Sequence, residues 1–174
     1  MVIGLHRRVW IFTALILLCA LIIGFSYLLY FQQSNVSRQL APDFSFTSID
    51  GAHCRLSSFR GKVVLIDFMA TWCSPCGLQV KVLKSLWPYF KDRGVVFLSI
   101  SIDPRDTLAR LSSYAAKYGI EWIVGLSVEA GVKYGVTAIP TIVIINGEGR
   151  IVFKSVGLTS DGVLMNALMK LIEG

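Results

Sequence analysis

The longest apolar segment of the chain lies near the N-terminus. From Val9 to Phe31, the run VWIFTALILLCALIIGFSYLLYF contains no charged residue. About 20 apolar residues in a helix are enough to cross a bilayer. A cleaved signal peptide is the rival interpretation, but its apolar region is about 7–15 residues long and ends at a small-residue cleavage site. This run is longer and ends in LLYFQQS. The pattern therefore predicts an uncleaved transmembrane signal anchor over residues 9–31.

The charges on either side of the anchor predict its orientation. His6, Arg7 and Arg8 precede the run, whereas the next cation after it is Arg38. Positive residues stay on the cytoplasmic side. Residues 1–8 are therefore expected in the cytoplasm, and the rest of the chain outside it. We expect a single-pass cell-membrane protein with its folded domain on the extracytoplasmic face.

Beyond the anchor, a short polar stretch precedes a region in which strand-like and helix-like patterns of apolar residues alternate. Residues 32–41 are predicted to be a linker, and residues 42–174 a domain. KVVLIDFMA, GVVFLSISI and PTIVIIN are apolar runs typical of buried strands. FSFTSIDGAHCRL is typical of a hairpin, because it alternates around Asp50-Gly51. Apolar residues recur at helical spacing in four segments: the one after Cys73 and Cys76, DTLARLSSYAAKYG, VEAGVKYG and SDGVLMNALMKLIEG. In the last of these, Ser160 is placed to cap the helix. Pro88 should bend or end the first of these helices.

The order of these elements is β-β-α-β-α-β-α-β-β-α. Strands that alternate with helices and end in a hairpin predict an α/β three-layer domain with a mixed central sheet. Part of the net charge of +6 comes from Arg7 and Arg8. The 15 basic and 11 acidic residues from Arg38 onward are scattered, with no basic run interleaved with aromatic residues, which argues against a nucleic-acid partner.

Residues 71–77, TWCSPCG, carry the candidate chemistry. A metal site would need four ligands, and only His53 and Cys54 could join Cys73 and Cys76 outside the anchor region. A structural disulfide gains little from so short a loop. A redox couple explains the position better, because Cys73 follows a buried strand and precedes a helix that Ser74 and Pro75 can start. The positive end of that helix lowers the pKa of a thiol and favours the nucleophilic thiolate. Cys76, one turn further, is placed to resolve a mixed disulfide.

Two segments resemble hallmarks of a known family. VVLIDFMATWCSPC resembles the active-site strand and loop of the thioredoxin superfamily, and VTAIPTIVIINGEGRIV resembles its Ile-Pro-Thr loop and terminal hairpin. Together with the anchor and the segment APDFSFTSIDG, they resemble the TlpA-like branch. The resemblance covers residues 42–174. It implies a thioredoxin-like fold and a membrane-anchored thiol–disulfide oxidoreductase, often a reductant in cytochrome c or oxidase assembly.

The resemblance also implies roles for single residues. Pro140 is expected to be cis and to pack against the cysteines, while the Ile139 backbone would bind an extended substrate. Asp67 lies at the buried acid position of thioredoxins. Burial should raise its pKa, which suits a proton acceptor for Cys76; the alternative is a carboxylate that only caps a backbone group. Trp72 either fills the core or covers the active-site loop, where substrate binds.

Two residues depart from the TlpA-like branch, which more often has a neutral residue at the position of Asp67 and a glutamate at that of Gln79. These departures argue against the assignment to cytochrome assembly and leave the prediction of redox chemistry unchanged. Cys54 is interpreted as an inert packing residue, with a third redox thiol as the alternative. Cys19 is interpreted as an apolar packing residue in the anchor.

The leading hypothesis is a membrane-tethered oxidoreductase that exchanges disulfides with protein cysteines through Cys73 and Cys76, with no cofactor and no metal. A reductant outside the cytoplasm also needs a membrane electron donor, which the sequence does not identify. A peroxiredoxin-like thiol peroxidase is one alternative, but it would have a threonine and a proline where this chain has Ala70 and Ile66. A metal-carrying assembly chaperone is the other, and it would need a histidine downstream of the cysteines. The chain has none after His53.

Overall fold

The structure is a computed structural model that describes Trp10, residues 16–26 and residues 39–173. Residues 16–26 are helical and exposed. Among the residues described, no helix combines the length and apolar character needed to cross a membrane. The predicted cytoplasmic segment 1–8 lies outside the described residues, as do residues 9, 11–15 and 27–31 of the predicted anchor and residues 32–38 of the predicted linker. These assignments stay predictions.

The chain divides into two units, residues 1–37 and residues 38–174. The second unit starts within the predicted linker, because residues 39–41 already pair with the rest of it. The Ala41 amide donates to the Gly149 carbonyl at 2.9 Å, and the Ile151 amide donates to the Gln39 carbonyl at 3.0 Å. Leu40 forms an isolated antiparallel bridge with Arg150.

Seven strands form one mixed sheet in the order β2-β1-β5-β4-β3-β6-β7. Parallel pairing joins β3 to β4 and β4 to β5, and the remaining neighbours are antiparallel. This is the α/β fold with a mixed sheet that the sequence predicts. The strands are β1 Ser45–Ser48, β2 His53–Arg55, β3 Val63–Met69, β4 Val95–Ser101, β5 Ile123–Leu126, β6 Thr141–Ile145 and β7 Ile151–Val156.

Four α-helices and one 3-10 turn complete the unit: α1 Ser74–Phe90, α2 Leu108–Tyr118, α3 Val128–Lys133, α4 Asp161–Ile172 and the 3-10 turn Leu56–Phe59. Pro88 lies inside α1, which ends two residues later. Gly119 ends α2 with a positive φ of 60°, which a glycine adopts without strain. Ser160 is the N-cap residue of α4, as predicted, although its hydroxyl makes no capping hydrogen bond.

The sheet separates two apolar cores. Helices α1, α2 and α4 pack on one face, where Leu65 and Met69 of β3 and Phe97 of β4 also point. The opposite face holds Phe68 of β3 with helix α3 and the N-terminal hairpin. Because strand side chains alternate between faces, Asp67 points to the same face as Leu65 and Met69, which is the face on which α1, the helix that carries the cysteines, packs. Strand β3 is buried along its whole length.

Candidate active site

Cys73 and Cys76 form a disulfide at the start of α1. Cys73 is the N-cap residue and Pro75 lies in the first turn, as the sequence predicts. Both cysteines are buried, with relative exposures of 4% for Cys73 and 0% for Cys76. The Cys76 amide donates to Cys73 Sγ at 3.2 Å. A backbone N–H directed at this sulfur at a helix N-terminus stabilises negative charge on it.

The Ile139–Pro140 segment faces the disulfide. The Ile139–Pro140 peptide bond is cis. Cys73 Sγ lies 3.8 Å from the Ile139 carbonyl oxygen. The structure thus brings the two hallmark segments together, although they are more than 60 residues apart in the chain.

An open groove of about 670 Å³ runs between these segments and the loop after β4. Its walls are mostly apolar, and Asp103 is the one ionisable side chain that lines it apart from Cys73 itself. The groove is lined by Ala70, Trp72, Cys73, Ser74, Pro75, Ile102, Asp103, Pro104, Val136, Thr137, Ala138 and Ile139. The groove is therefore an apolar surface that borders Cys73.

Asp67 lies in the middle of β3 and is fully buried, with 0% exposure. The Ser99 hydroxyl on the neighbouring strand donates to Asp67 Oδ2 at 3.2 Å. Asp67 Oδ1 has no hydrogen-bond partner among the residues described. Burial raises the pKa of Asp67 from 3.8 to about 7, and the Ser99 hydrogen bond opposes that rise. A carboxyl with this pKa changes its protonation state near neutral pH.

Two aspartates that the sequence analysis did not single out hold the loop before Cys73. Asp106 accepts hydrogen bonds from the Thr71 amide at 2.9 Å and from the Ser101 hydroxyl at 2.6 Å. The Thr71 hydroxyl also donates to Asp106. Because Asp106 is buried, these hydrogen bonds are shielded from water, and they fix the loop 70–73 to the loop after β4.

Asp103 holds Trp72 in the same way. The Trp72 indole N–H donates to Asp103, and the Arg105 guanidinium donates to Asp103 Oδ2 at 2.7 Å. Arg105 also lies over the Trp72 ring, 5.5 Å from its centroid. The hydrogen bonds from Arg105, together with that from Trp72, hold the pKa of Asp103 well below its usual range. Trp72 is 61% exposed, so it forms the rim of the groove and does not fill the core.

Gln79 occupies the position where the TlpA-like branch commonly has a glutamate. Its side chain is fully buried and pairs with the backbone of Thr159 in both directions. The Thr159 amide donates to Gln79 Oε1 at 2.8 Å, and Gln79 Nε2 donates to the Thr159 carbonyl at 3.2 Å. This neutral amide ties α1 to the segment before α4.

His53 and Cys54, the other candidate ligands of this unit, lie apart from the site. Cys54 packs against the core on the opposite face of the sheet from Cys73 and Cys76. His53 Nδ1 contacts the Thr47 hydroxyl at 3.3 Å. Within the described part of the chain, no three His, Cys, Asp or Glu side chains come together as metal ligands would.

Only part of this arrangement was visible in the sequence. The missed residues are Ser99 and Asp103, which bind the predicted site residues Asp67 and Trp72. They also include Arg105, Asp106 and Trp122, which bind Asp103, Thr71 and Ser99, respectively. A serine inside the apolar run of β4 was the signal available for Ser99, since a buried hydroxyl needs a partner.

Comparisons with known proteins agree with this geometry. The AhpC/TSA family model matches residues 38–154. The chain is 27% identical over 163 residues to a thiol-disulfide oxidoreductase ResA of Bacillus subtilis, covering 91% of this chain and 90% of that protein. It is 29% identical over 135 residues to a thiol-disulfide oxidoreductase ResA of Bacillus anthracis, covering 75% of this chain and 76% of that protein. Among solved structures, a putative protein disulfide isomerase from Bacteroides thetaiotaomicron superposes with a TM-score of 0.71 at 28% identity, covering 78% of this chain and 89% of the other.

Proposed function

The chain belongs to the AhpC/TSA family and is a thioredoxin-fold thiol–disulfide oxidoreductase, and from this premise we propose that Cys73 and Cys76 exchange disulfides with cysteine-containing proteins. The observation that carries the proposal is the Cys73–Cys76 disulfide at a helix N-terminus, beside an open apolar groove. In the reduced protein the Cys73 thiolate attacks one sulfur of a substrate disulfide. A mixed disulfide forms, and the other substrate sulfur leaves as a thiolate.

Asp67 acts in the second step of this reaction. Cys76 loses its proton to the buried carboxylate, and its thiolate attacks Cys73 Sγ. The substrate leaves as a second thiolate, the Cys73–Cys76 bond forms, and two electrons have passed to the substrate. The support is the burial of Asp67 on the face toward α1 and its pKa of about 7, which is close to the value that general-base catalysis needs.

Trp72, Ile139 and Pro140 bind the substrate in this proposal. The Ile139 backbone runs beside Cys73, so an extended peptide can add to it as a short strand. Trp72 supplies an exposed apolar wall at the rim of the groove. The groove does not select for a charged peptide, because the Arg105 guanidinium neutralises the Asp103 carboxylate.

We further propose that the enzyme is tethered to the cell membrane by residues 9–31, with its catalytic domain outside the cytoplasm. The uncharged run and the Arg7-Arg8 flank support this orientation. In this location the enzyme acts as a reductant that a membrane electron donor recharges. Its place in cytochrome c or oxidase assembly is proposed from the resemblance to the TlpA-like branch.

The peroxiredoxin-like alternative is supported less well. Ala70 and Ile66, at the positions where a peroxidase would have a threonine and a proline, are both fully buried apolar residues. Ala70 cannot donate the side-chain hydrogen bond that a threonine hydroxyl at its position could offer to a peroxide. A metal-carrying chaperone lacks a third ligand beside the cysteines among the residues described.

The roles of the two cysteines are tested by trapping. Cys76→Ser should accumulate a mixed disulfide with a substrate protein, because the second step is blocked. Cys73→Ser should form none, and Cys54→Ser, on the other face of the sheet, should turn over like the wild type. Non-reducing electrophoresis and intact mass spectrometry report the adduct. An adduct that forms on the Cys73→Ser protein and not on the Cys76→Ser protein reverses the assignment.

The direction of electron flow is tested by the reduction potential of residues 38–174. Reducing members of this fold have reduction potentials of about −270 mV, and strong oxidants have potentials of about −120 mV. We expect a value closer to the first. A value near the second would make the protein an oxidant.

The location is tested separately with protease added to intact cells or spheroplasts. Removal of the domain is the expected result. Full protection, or a mature chain that starts after residue 31, contradicts the anchored orientation.

A further inference from the structure

A chain of hydrogen bonds ends at the buried acid. The Trp122 indole N–H donates to the Ser99 hydroxyl at 3.0 Å, and that hydroxyl donates to Asp67 Oδ2 at 3.2 Å. All three residues are at least nine-tenths buried. Ser99 is paired directly opposite Asp67 in the parallel β3–β4 ladder, and Trp122 lies immediately before β5. The three groups therefore come from three adjacent strands or their ends.

The chemistry of these groups lets the hydrogen bonds run in one direction, from Trp122 through Ser99 to Asp67. An indole N–H is only a donor, so it occupies a lone pair of the Ser99 oxygen. A hydroxyl has a single hydrogen, and here it is directed at Asp67 Oδ2. This oxygen therefore already has a donor, whereas Oδ1 has no partner among the residues described. Oδ1 is the oxygen left to take up a proton.

We propose that Ser99 and Trp122 are positioning residues that orient the Asp67 carboxyl group and reserve its Oδ1 for the proton of Cys76. This inference rests on the proposed function, in which Asp67 is the base for Cys76. It adds the means by which the base is held. The hydrogen bonds of Trp122 and Ser99 lead to Asp67, so both residues act through Asp67.

Few other side chains around Asp67 could donate a hydrogen bond to its carboxyl group or exchange a proton with it. The ionisable side chains of the same core are Cys73 and Cys76 at α1 and Tyr114 on α2, and the partly buried Tyr118 packs against it. Burial raises the pKa of Tyr114 well above its usual range, and the charge of Asp67 raises it further, so this phenol stays protonated. The Tyr114 hydroxyl has no partner within the described residues. Asp106 is occupied by the loop 70–73, and β6 presents apolar Ile142 opposite Asp67.

The inference is tested in the full chain with two variants and a matched control. Ser99→Ala removes the donor to Asp67, and Trp122→Phe removes the donor to Ser99 while keeping an aromatic ring. Trp87→Phe is the control, because the Trp87 indole packs 5.8 Å from Trp122 but its N–H has no partner among the residues described. Ser99→Thr keeps the hydroxyl and should restore the wild-type behaviour.

The first measurement is the titration of the Asp67 carboxyl by isotope-edited infrared or carbon NMR in the disulfide form. A hydrogen bond to a charged group favours the charged form. Its loss in Ser99→Ala should raise the pKa of Asp67 by about one pH unit, a tenfold change in proton affinity. Trp122→Phe should raise it less, because the hydroxyl remains, and Trp87→Phe should leave it unchanged.

The second measurement is the pH profile of mixed-disulfide resolution. With a pKa near 7, a rise of one pH unit leaves about a tenth of the carboxyl ionised at pH 7 in place of half. Resolution should therefore slow about fivefold at pH 7 in Ser99→Ala and recover toward the wild-type rate above about pH 9. A purely structural role for Ser99 would lower stability without moving this midpoint.

The results separate this inference from the proposed function. If the carboxyl titration does not move in Ser99→Ala or Trp122→Phe, the positioning role is wrong, whatever Asp67 does in catalysis. If it moves while Asp67→Asn resolves the mixed disulfide at the wild-type rate, the positioning role stands and the base role of Asp67 is wrong. In an Asp67→Asn background, Ser99→Ala should have no effect on the pH profile; an effect there overturns the inference.

Discussion

Replacing Asp67 with asparagine should change the pH dependence of folding stability in one direction. In the unfolded chain this carboxyl titrates near 3.8, and in the folded disulfide form burial raises its pKa to about 7. Between these values the folded state holds a proton that the unfolded state has lost. Stability therefore falls as the pH rises through this window and stays level above it.

The size of the effect follows from the two pKa values. The interval from 3.8 to about 7 is roughly three pH units, and each unit corresponds to about 1.36 kcal/mol. The wild type should thus lose about 4 kcal/mol between pH 4 and pH 8 through this one group. Asparagine keeps the shape of the side chain and cannot titrate. Its unpaired amide hydrogens cost about 1–3 kcal/mol at every pH.

The difference between the two proteins is the quantity to measure. We expect Asp67→Asn to be less stable than the wild type near pH 4 and more stable near pH 8. Urea unfolding of residues 38–174 in the disulfide form gives the free energy of unfolding at both pH values, and all other titrating groups cancel in the comparison. A difference that is the same at pH 4 and pH 8 would refute the argument, because Asp67 would then titrate equally in both states.

Two other substitutions test the packing of α1. Gln79→Glu keeps the acceptor for the Thr159 amide, but a carboxylate cannot donate to the Thr159 carbonyl, so we expect a loss of about 1–3 kcal/mol at pH 8 that is mostly regained at pH 4. Urea unfolding measures both, and an equal loss at the two pH values contradicts it. In Gly77→Ala the new Cβ would clash with the ring and the hydroxyl oxygen of Tyr118, which should cost about 1–3 kcal/mol. Gly162→Ala, with nothing within 4 Å, is the control and should stabilise by up to about 1 kcal/mol; similar thermal midpoints for the two variants would exclude the clash.

The parts of the site that the sequence predicts are those with a local signal. The continuous apolar run of β3 predicts burial on both faces, and Asp67 is conspicuous within it. The two cysteines and Pro75 at a helix start follow from capping rules. The mixed sheet follows from the alternation of helical and strand periods, although the order of its strands depends on contacts between distant segments.

Asp106 and Trp122, which also support the site, carry no such signal. Asp106 lies 35 positions from Thr71, and Trp122 lies 23 positions from Ser99. Their roles depend on which strands become neighbours, and a hydrogen bond between side chains leaves no periodic pattern. Trp72 illustrates the limit, because the sequence allowed both a core position and a rim position. The choice between them comes from Asp103, which draws the indole outward.

The two aspartate contacts with the loop before Cys73 have a consequence for the thermodynamics of association. Asp106 fixes Thr71 and Asp103 fixes Trp72, so the rim of the groove is already ordered before a partner arrives. Ordering a flexible side chain at an interface costs about 0.5–1.5 kcal/mol. A rim that has already lost this entropy during folding does not lose it again on each encounter. The same contacts set a bound on adaptability, since a rigid indole cannot reshape itself around different side chains. Partners should therefore be selected by the path of their backbone beside Ile139 more than by the identity of the residues that flank their cysteine.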